Sequence, residues 1–255
     1  MSAALIQALL AARRDRLPLA AGPWATVLSS AEQAYAVQDA VAAGLGWFGS
    51  ASPQHWKSGG ASRQALLTHA PLPPAGVQSS PASFSDWPLH SPAMEAEIAL
   101  RLAVDVDPAL AARLTPDQTD EIDALIGEMA VSIELVDSRW VEGGKAPALL
   151  KLADQQSHGA LALGNWVAYA RRDWSGQRCE VRIGTQPTVL RTGSHSLTDP
   201  AWLLPQWLRH ATRGGATLAA GSVVTTGTWV GLLPVQAGDR VEVAFEGIGK
   251  ASLQL

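Results

Sequence analysis

Glu95 and Glu97 sit in the otherwise apolar run Met94-Glu95-Ala96-Glu97-Ile98-Ala99-Leu100. A third carboxylate, Glu134, lies in a second such run, Ile133-Glu134-Leu135-Val136-Asp137-Ser138-Arg139. In a strand, alternate side chains share a face, so Glu95 and Glu97 project together, roughly 7 Å apart along the strand. Two unpaired carboxylates on an inward face repel each other and are costly to desolvate. A divalent cation relieves both problems, and Glu134 would complete an all-oxygen site with positions left for water and substrate. The same spacing also describes a half-buried strand with its Glu residues in solvent and Met94, Ala96, Ile98 and Leu100 in the core. Spacing alone leaves both readings open.

These residues need elements to hold them. Ala3 to Arg14 is Ala/Leu-rich and helical by propensity. Ser29 or Ser30 can cap a second helix, and Ser30 with Gln33 has capping-box spacing. Tyr35, Val37, Val41 and Leu45 give that helix an apolar face, and Gly44 or Gly46 ends it. Trp47 to Lys57 reads as a turn into a short extended segment broken at Gly59-Gly60, with a helical turn over Ser62 to Thr68. Pro71 to Pro92 is rich in Pro and Ser and reads as loop with at most short strands, a candidate lid or pocket wall. After the strand from Glu95 to Val104, Thr115 and Pro116 start a helix with Ile122, Leu125, Ile126 and Met129 on its buried face. From Ser132 onward short strands dominate, apart from a helix over Asp199 to His210. Helices first and strands after indicate an α+β fold with a mixed or antiparallel sheet. The expected organisation is an N-terminal helical part over residues 1–70 and a β-rich catalytic part over 71–255, or one continuous domain.

Composition narrows the function. The 255 residues are 47% apolar and 16% charged, enough for a full hydrophobic core and unlike a disordered chain. A net charge of −4 without a basic block gives no reason to expect a nucleic acid partner. Cys179 is the lone cysteine, which excludes an internal disulfide framework and a multi-cysteine zinc site. The N-terminus lacks a basic region ahead of its apolar run, and no apolar stretch reaches membrane-spanning length, so a cytoplasmic protein is expected. Ten Trp against two Tyr and three Phe is an unusual balance, read as packing.

Further words fall into order around the three Glu: Ala34-Tyr35-Ala36-Val37-Gln38, Trp56-Lys57, Ala153-Asp154 through Ser157, and Thr226-Gly227-Thr228. The closing stretch, Gly238-Asp239-Arg240-Val241 to Gly247-Ile248-Gly249, continues the series. With them the chain resembles the 2-keto-4-pentenoate hydratase and 4-oxalocrotonate decarboxylase group of the fumarylacetoacetate hydrolase superfamily. The resemblance implies Mg²⁺ or Mn²⁺ held by Glu95, Glu97 and Glu134, within a curved mixed β-sheet core that follows an N-terminal helical part. It implies 2-oxo or 2-hydroxy-dienoic acid substrates, chelated through the carboxylate and the adjacent oxygen. It makes Lys57 the catalytic acid/base, with a pKa lowered by burial and the cation, where a Lys after a Trp is otherwise a solvated amine. Ser157 takes the place of a small polar residue facing the substrate, and Asp154 a supporting role to the metal or to Lys57. Asp137 and Arg139 are expected to pair with each other. His158 stands where the family has a small or amide residue and is read as a satisfied loop histidine.

The sequence departs from the family after Lys57, where it reads Ser58-Gly59-Gly60-Ala61-Ser62, and Asp86 is the only acid between Lys57 and Glu95. The expectation is a hydratase of a 2-hydroxy-2,4-dienoate in aromatic catabolism. The alternatives are a decarboxylase of a 2-oxo-dienedioate, a C–C hydrolase of an acylpyruvate, and a non-catalytic partner subunit. A homo-oligomer is expected, with room for a complex with a related pathway enzyme.

Overall fold

Ser30 accepts a hydrogen bond from Gln33 N, and Gln33 Oε1 accepts one from Ser29 N, so the capping box forms with its return bond one residue early. It starts α2 (Ala31–Gly44), which packs on α1 (Ser2–Asp15). The computed structural model describes residues 2–255. The chain continues through β1 (His55–Gly59), β2 (Thr68–Pro71), β3 (Val77–Ser79), β4 (Ala82–Ser83) and β5 (Ala93–Leu102). Next come α3 (Pro108–Arg113), α4 (Thr119–Asp123), β6 (Ile126–Val136) and α5 (Ala148–Ala153). They are followed by β7 (His158–Leu163), β8 (Val167–Ala168), β9 (Arg178–Ile183) and β10 (Val189–Thr192). The last elements are α6 (Leu204–Ala211), β11 (Val223–Thr225), β12 (Leu233–Pro234), β13 (Arg240–Phe245) and β14 (Gly249–Gln254).

The fold is α+β, a helical N-terminus followed by a curled mixed sheet. The larger sheet runs β2-β1-β11-β5-β6-β7-β3, with β12 beside β5 and β8 beside β6. Its β1–β11 and β3–β7 pairs are parallel, and β11–β5, β5–β6 and β6–β7 are antiparallel. A second sheet, β10-β9-β13-β14-β4, covers one face of the first. Between them lie Met94, Ala96, Ile98 and Leu100 of β5, and Met129, Val131, Ile133 and Leu135 of β6. These pack with Val181, Val243, Phe245 and Leu253. Alternation thus fills the core with one face of β5 and β6 and turns Glu95, Glu97 and Glu134 to the other.

A separate apolar cluster joins Leu5 and Leu9 of α1, Val37 and Val41 of α2, Trp140, and Leu150 and Leu152 near the site. The five most buried tryptophans, Trp56, Trp140, Trp174, Trp207 and Trp229, are packing residues, as their excess suggested. Cys179 is buried among core residues, where desolvation pushes its thiol up to about 12.

Two expectations need correction. The helix read over Pro116 to Met129 is confined to Thr119–Asp123, and Ile126 and Met129 belong to β6. The apolar run there is buried on both faces of a central strand, which periodicity cannot distinguish from a helix. Ser62 to Thr68 holds only turns before Thr68 enters β2. β1 and β2, which both begin within residues 1–70, are members of the large sheet.

Candidate active site

Four adjacent strands carry the polar groups on the face opposite the core. In β1, Lys57 stands beside Thr225 of β11; in β5 and β6, Glu95 faces Glu134 and Glu97 faces Ser132. Cross-strand partners point the same way, so these residues converge. Carboxylate oxygens of Glu95, Glu97 and Glu134 lie within 4.8 Å of one another. Glu97 and Glu134 are buried, at 2% and 0% exposure, so the solvated-Glu reading fails for both.

The hydrogen bonds divide the cluster unequally. Glu134 Oε1 accepts from Lys57 Nζ at 2.6 Å and lies 2.9 Å from His158 Nδ1. Thr225 donates to Glu97 and meets Ser132 Oγ at 2.8 Å. Glu134 Oε2 is buried without a partner. An orphaned carboxylate oxygen beside two further carboxylates is an unfavourable arrangement on its own. An oxygen-seeking cation removes the deficit, so the donor set fits a divalent metal.

Electrostatics report the same imbalance. Desolvation and the neighbouring Glu134 charge raise the Glu95 carboxyl to about 7, against the pull of Lys57. Burial, with the Glu134 and Glu95 charges beside it, raises Glu97 to about 8. Burial also works against Glu134, but Lys57 and His158 overcome it and hold its carboxyl below the ordinary range. Lys57 is the counterpart: burial opposes its charge, yet Glu134, Glu95 and Glu97 raise its pKa above that of a free lysine. The three carboxylates together outweigh the desolvation of the ammonium.

Lys57 Nζ also donates to the Gln156 carbonyl at 3.3 Å. That carbonyl sits in a turn where Gln155, Gln156 and Ser157 all have left-handed backbones, with φ of 47°, 53° and 60°. Non-glycine residues hold this conformation only when their surroundings enforce it. Here Arg13 of α1 bonds Asp154 Oδ1 (2.7 Å) and Gln155 Oε1 (3.0 Å), and Gln155 Nε2 bonds the Gln38 carbonyl of α2 (3.1 Å). The N-terminal helices therefore brace the turn that positions Lys57.

The Asp154 side chain makes no hydrogen bond to Lys57 or the three glutamates. It binds Arg13 and Arg139 Nε, the latter at 2.8 Å. Asp137 does not pair with Arg139 either; its carboxylate accepts from the backbone of His90 and Ser91. Arg139 lies past the end of β6, so strand spacing from Asp137 does not apply, and the fully buried Asp154 takes both guanidinium groups.

Lys57, Glu95, Gln156 and Ser157 line one cavity of about 410 Å³, whose far wall is the Gly143-Gly144 turn with Ala148, Lys151 and Leu152. Ser157 is thus brought to the site's cavity, with no side-chain bond to Lys57 or the glutamates. From Pro71–Pro92 only Ser91 lines it, and β3 on β7 and β4 on β14 tie the middle of the segment into the sheets. Asp86 is exposed and outside the cavity. Sequence reasoning missed Thr225, Ser132, Gln156 and Lys151. Thr225 precedes the Thr226-Gly227-Thr228 word, the nearest available signal.

Residues 47–255 match the family model for the fumarylacetoacetate (FAA) hydrolase C-terminal region. The chain belongs to this family. Among relatives, 2-keto-4-pentenoate hydratase 1 of Dechloromonas aromatica (strain RCB) is 32% identical over 171 residues, covering 64% of this chain and 60% of that protein. The 2-hydroxyhexa-2,4-dienoate hydratase of Comamonas testosteroni is 29% identical over 168 residues, covering 65% and 61%. The chain thus matches about three-fifths of the length of these relatives. In fold it is similar to 4-oxalocrotonate decarboxylase from Pseudomonas putida G7, complexed with magnesium and adipate. That likeness has a TM-score of 0.82 and 18% identity, and covers 99% of this chain and 96% of that one. The same decarboxylase complexed with calcium and acetate gives a TM-score of 0.81. No helix among the described residues is long and apolar enough to cross a membrane.

Proposed function

We propose that this protein is a divalent-metal-dependent hydratase acting on a 2-hydroxy-2,4-dienoate of the 2-keto-4-pentenoate type, in aromatic catabolism. The observation that carries the reading is the convergence of three carboxylates beside Lys57, with Glu95 and Lys57 lining a cavity and Glu134 Oε2 buried and unpartnered. The hydratase relatives support it. Glu95, Glu97 and Glu134 would hold Mg²⁺ or Mn²⁺. Bound there, the ion supplies positive charge against the substrate's carboxylate and 2-oxygen and steadies enolate charge.

Lys57 does the proton work. Its ammonium, held by Glu134 and the Gln156 carbonyl, donates a proton to the terminal carbon of the dienol. The proton lost from the 2-hydroxyl restores the ammonium, leaving a 2-oxo-3-enoate. Water then adds across the conjugated double bond, hydroxyl to C4 and proton to C3. Ser157, on the cavity wall, hydrogen-bonds the substrate, and Ala93, Val136, Leu152 and Leu232 surround its hydrocarbon part. The working protein is a cytoplasmic homo-oligomer in this reading.

One observation favours a second reading. Lys151 lines the same cavity, donates to the Gly144 carbonyl at 2.8 Å and has no carboxylate partner among the described residues. A second substrate carboxylate would suit it, as in a 2-oxo-dienedioate that loses CO₂. Incubation of Mg²⁺-loaded protein with 2-hydroxypenta-2,4-dienoate separates the readings. The proposal expects a 4-hydroxy-2-oxo acid, no CO₂, and loss of turnover in EDTA. CO₂ released from a dienedioate, with no hydration of the monocarboxylate, supports the decarboxylase. Turnover of neither substrate refutes both.

A further inference from the structure

His158 enters β7 where strict alternation would set it on the core face with Ala160 and Ala162. The β6–β7 register slips between Leu135 and Val136, so that Leu135 faces Ala160 but Val136 faces His158. The extra residue is Gly159, at which a Cβ would meet the Leu135 carbonyl at 2.8 Å. This bulge turns His158 to the face of Val136 and Glu134, re-aiming a side chain as bulges do. The ring is 2% exposed. Its Nδ1 lies 2.9 Å from the Glu134 oxygen that also receives Lys57, while its Nε2 is buried without a partner.

A carboxylate oxygen only accepts, so Nδ1 carries the proton and donates. Two donors thus saturate Glu134 Oε1 and fix the carboxylate plane, and only Oε2 is left for a ligand. We propose that His158 is a positioning residue, which with Lys57 orients Glu134 so that Oε2 faces the divalent-cation site. The inference rests on the metal reading given above. It assigns a role to a histidine that departs from the family's small or amide residue at this position, and gives the bulge at Gly159 a purpose.

The test is Mn²⁺ affinity, read from the electron paramagnetic resonance signal of free Mn²⁺, without substrate. His158→Ala and His158→Leu remove the donor, the second while keeping the space filled; each should weaken binding on the order of 10- to 100-fold, the usual cost of losing a ligand's supporting bond. His158→Asn places an amide N–H near the Nδ1 position and should return affinity to within about threefold of the wild type. A purely packing role predicts the reverse, with Leu tolerated and Asn not. Wild-type binding with unchanged affinity in both Ala and Leu variants overturns the inference alone, as does equal loss in Leu and Asn. Absence of Mn²⁺ binding by the wild type overturns the metal reading as well.

Discussion

The two faces of the β5–β6 pair are built from the same strands and buried to similar depth, yet they do opposite things. One face, with Met94, Ala96, Ile98, Val131, Ile133 and Leu135, packs against the second sheet and is satisfied by contact alone. The other, with Glu95, Glu97, Ser132 and Glu134, needs Lys57, His158 and Thr225 around it and still leaves one oxygen unpartnered. The period of two in a strand lets adjacent residues take these separate tasks. The apolar face holds the backbone rigid, and the opposite face can then keep carboxylates closer together than solution chemistry favours.

The largest break in this comparison comes from the apolar face. Ile133→Ala should cost about 2–5 kcal/mol of stability through lost burial and the cavity left behind. Denaturant unfolding measures it, and Mn²⁺ binding by the remaining folded protein should stay close to the wild type. On the polar face the sizes change places. Lys57→Ala should lower kcat on the order of 10²-fold, about 2.7 kcal/mol of barrier, in protein kept saturated with metal.

How much of this was readable beforehand differs between the faces too. Glu95 and Glu97 announced themselves because carboxylates in an apolar strand need a reason, and Glu134 repeated the pattern. Lys57 and Ser157 entered only through resemblance, since a lone Lys or Ser has no spacing to betray it. His158 was hidden by the bulge at Gly159: register slips depend on long-range pairing, which alternation along one strand does not encode. The same limit explains Ile126 and Met129, whose apolar neighbours satisfy a helix as well as a doubly covered strand. Arg139 went to Asp154 because burial of an acid, not nearness in sequence, decides which guanidinium it takes.

A smaller effect sharpens the electrostatic half of the comparison. In metal-free protein, Glu95 and Glu97 titrate near about 7 and about 8, above an unfolded glutamate. Between the unfolded and folded values the native state binds the extra protons. Their contribution is therefore complete in acid and is lost as pH rises through 7 and 8. The Tm of EDTA-treated wild type, relative to that of Glu97→Gln, should fall from pH 5 to pH 9, and Mg²⁺ should stabilise the wild type more at pH 8 than at pH 6. A pH-independent difference would contradict the assignment. Smaller still, Thr225→Val removes the hydroxyl shared by Glu97 and Ser132 and should cost about 1–3 kcal/mol in metal-free unfolding.

The central claim is that the three glutamates form one metal centre, and an anomalous difference map from crystals grown with Mn²⁺ tests it most directly. The account predicts a peak bounded by Glu95, Glu97 and Glu134, with Glu134 Oε2 among the ligands, that disappears in Glu97→Ala. A peak elsewhere, or three carboxylates that stay empty at saturating Mn²⁺, would contradict it.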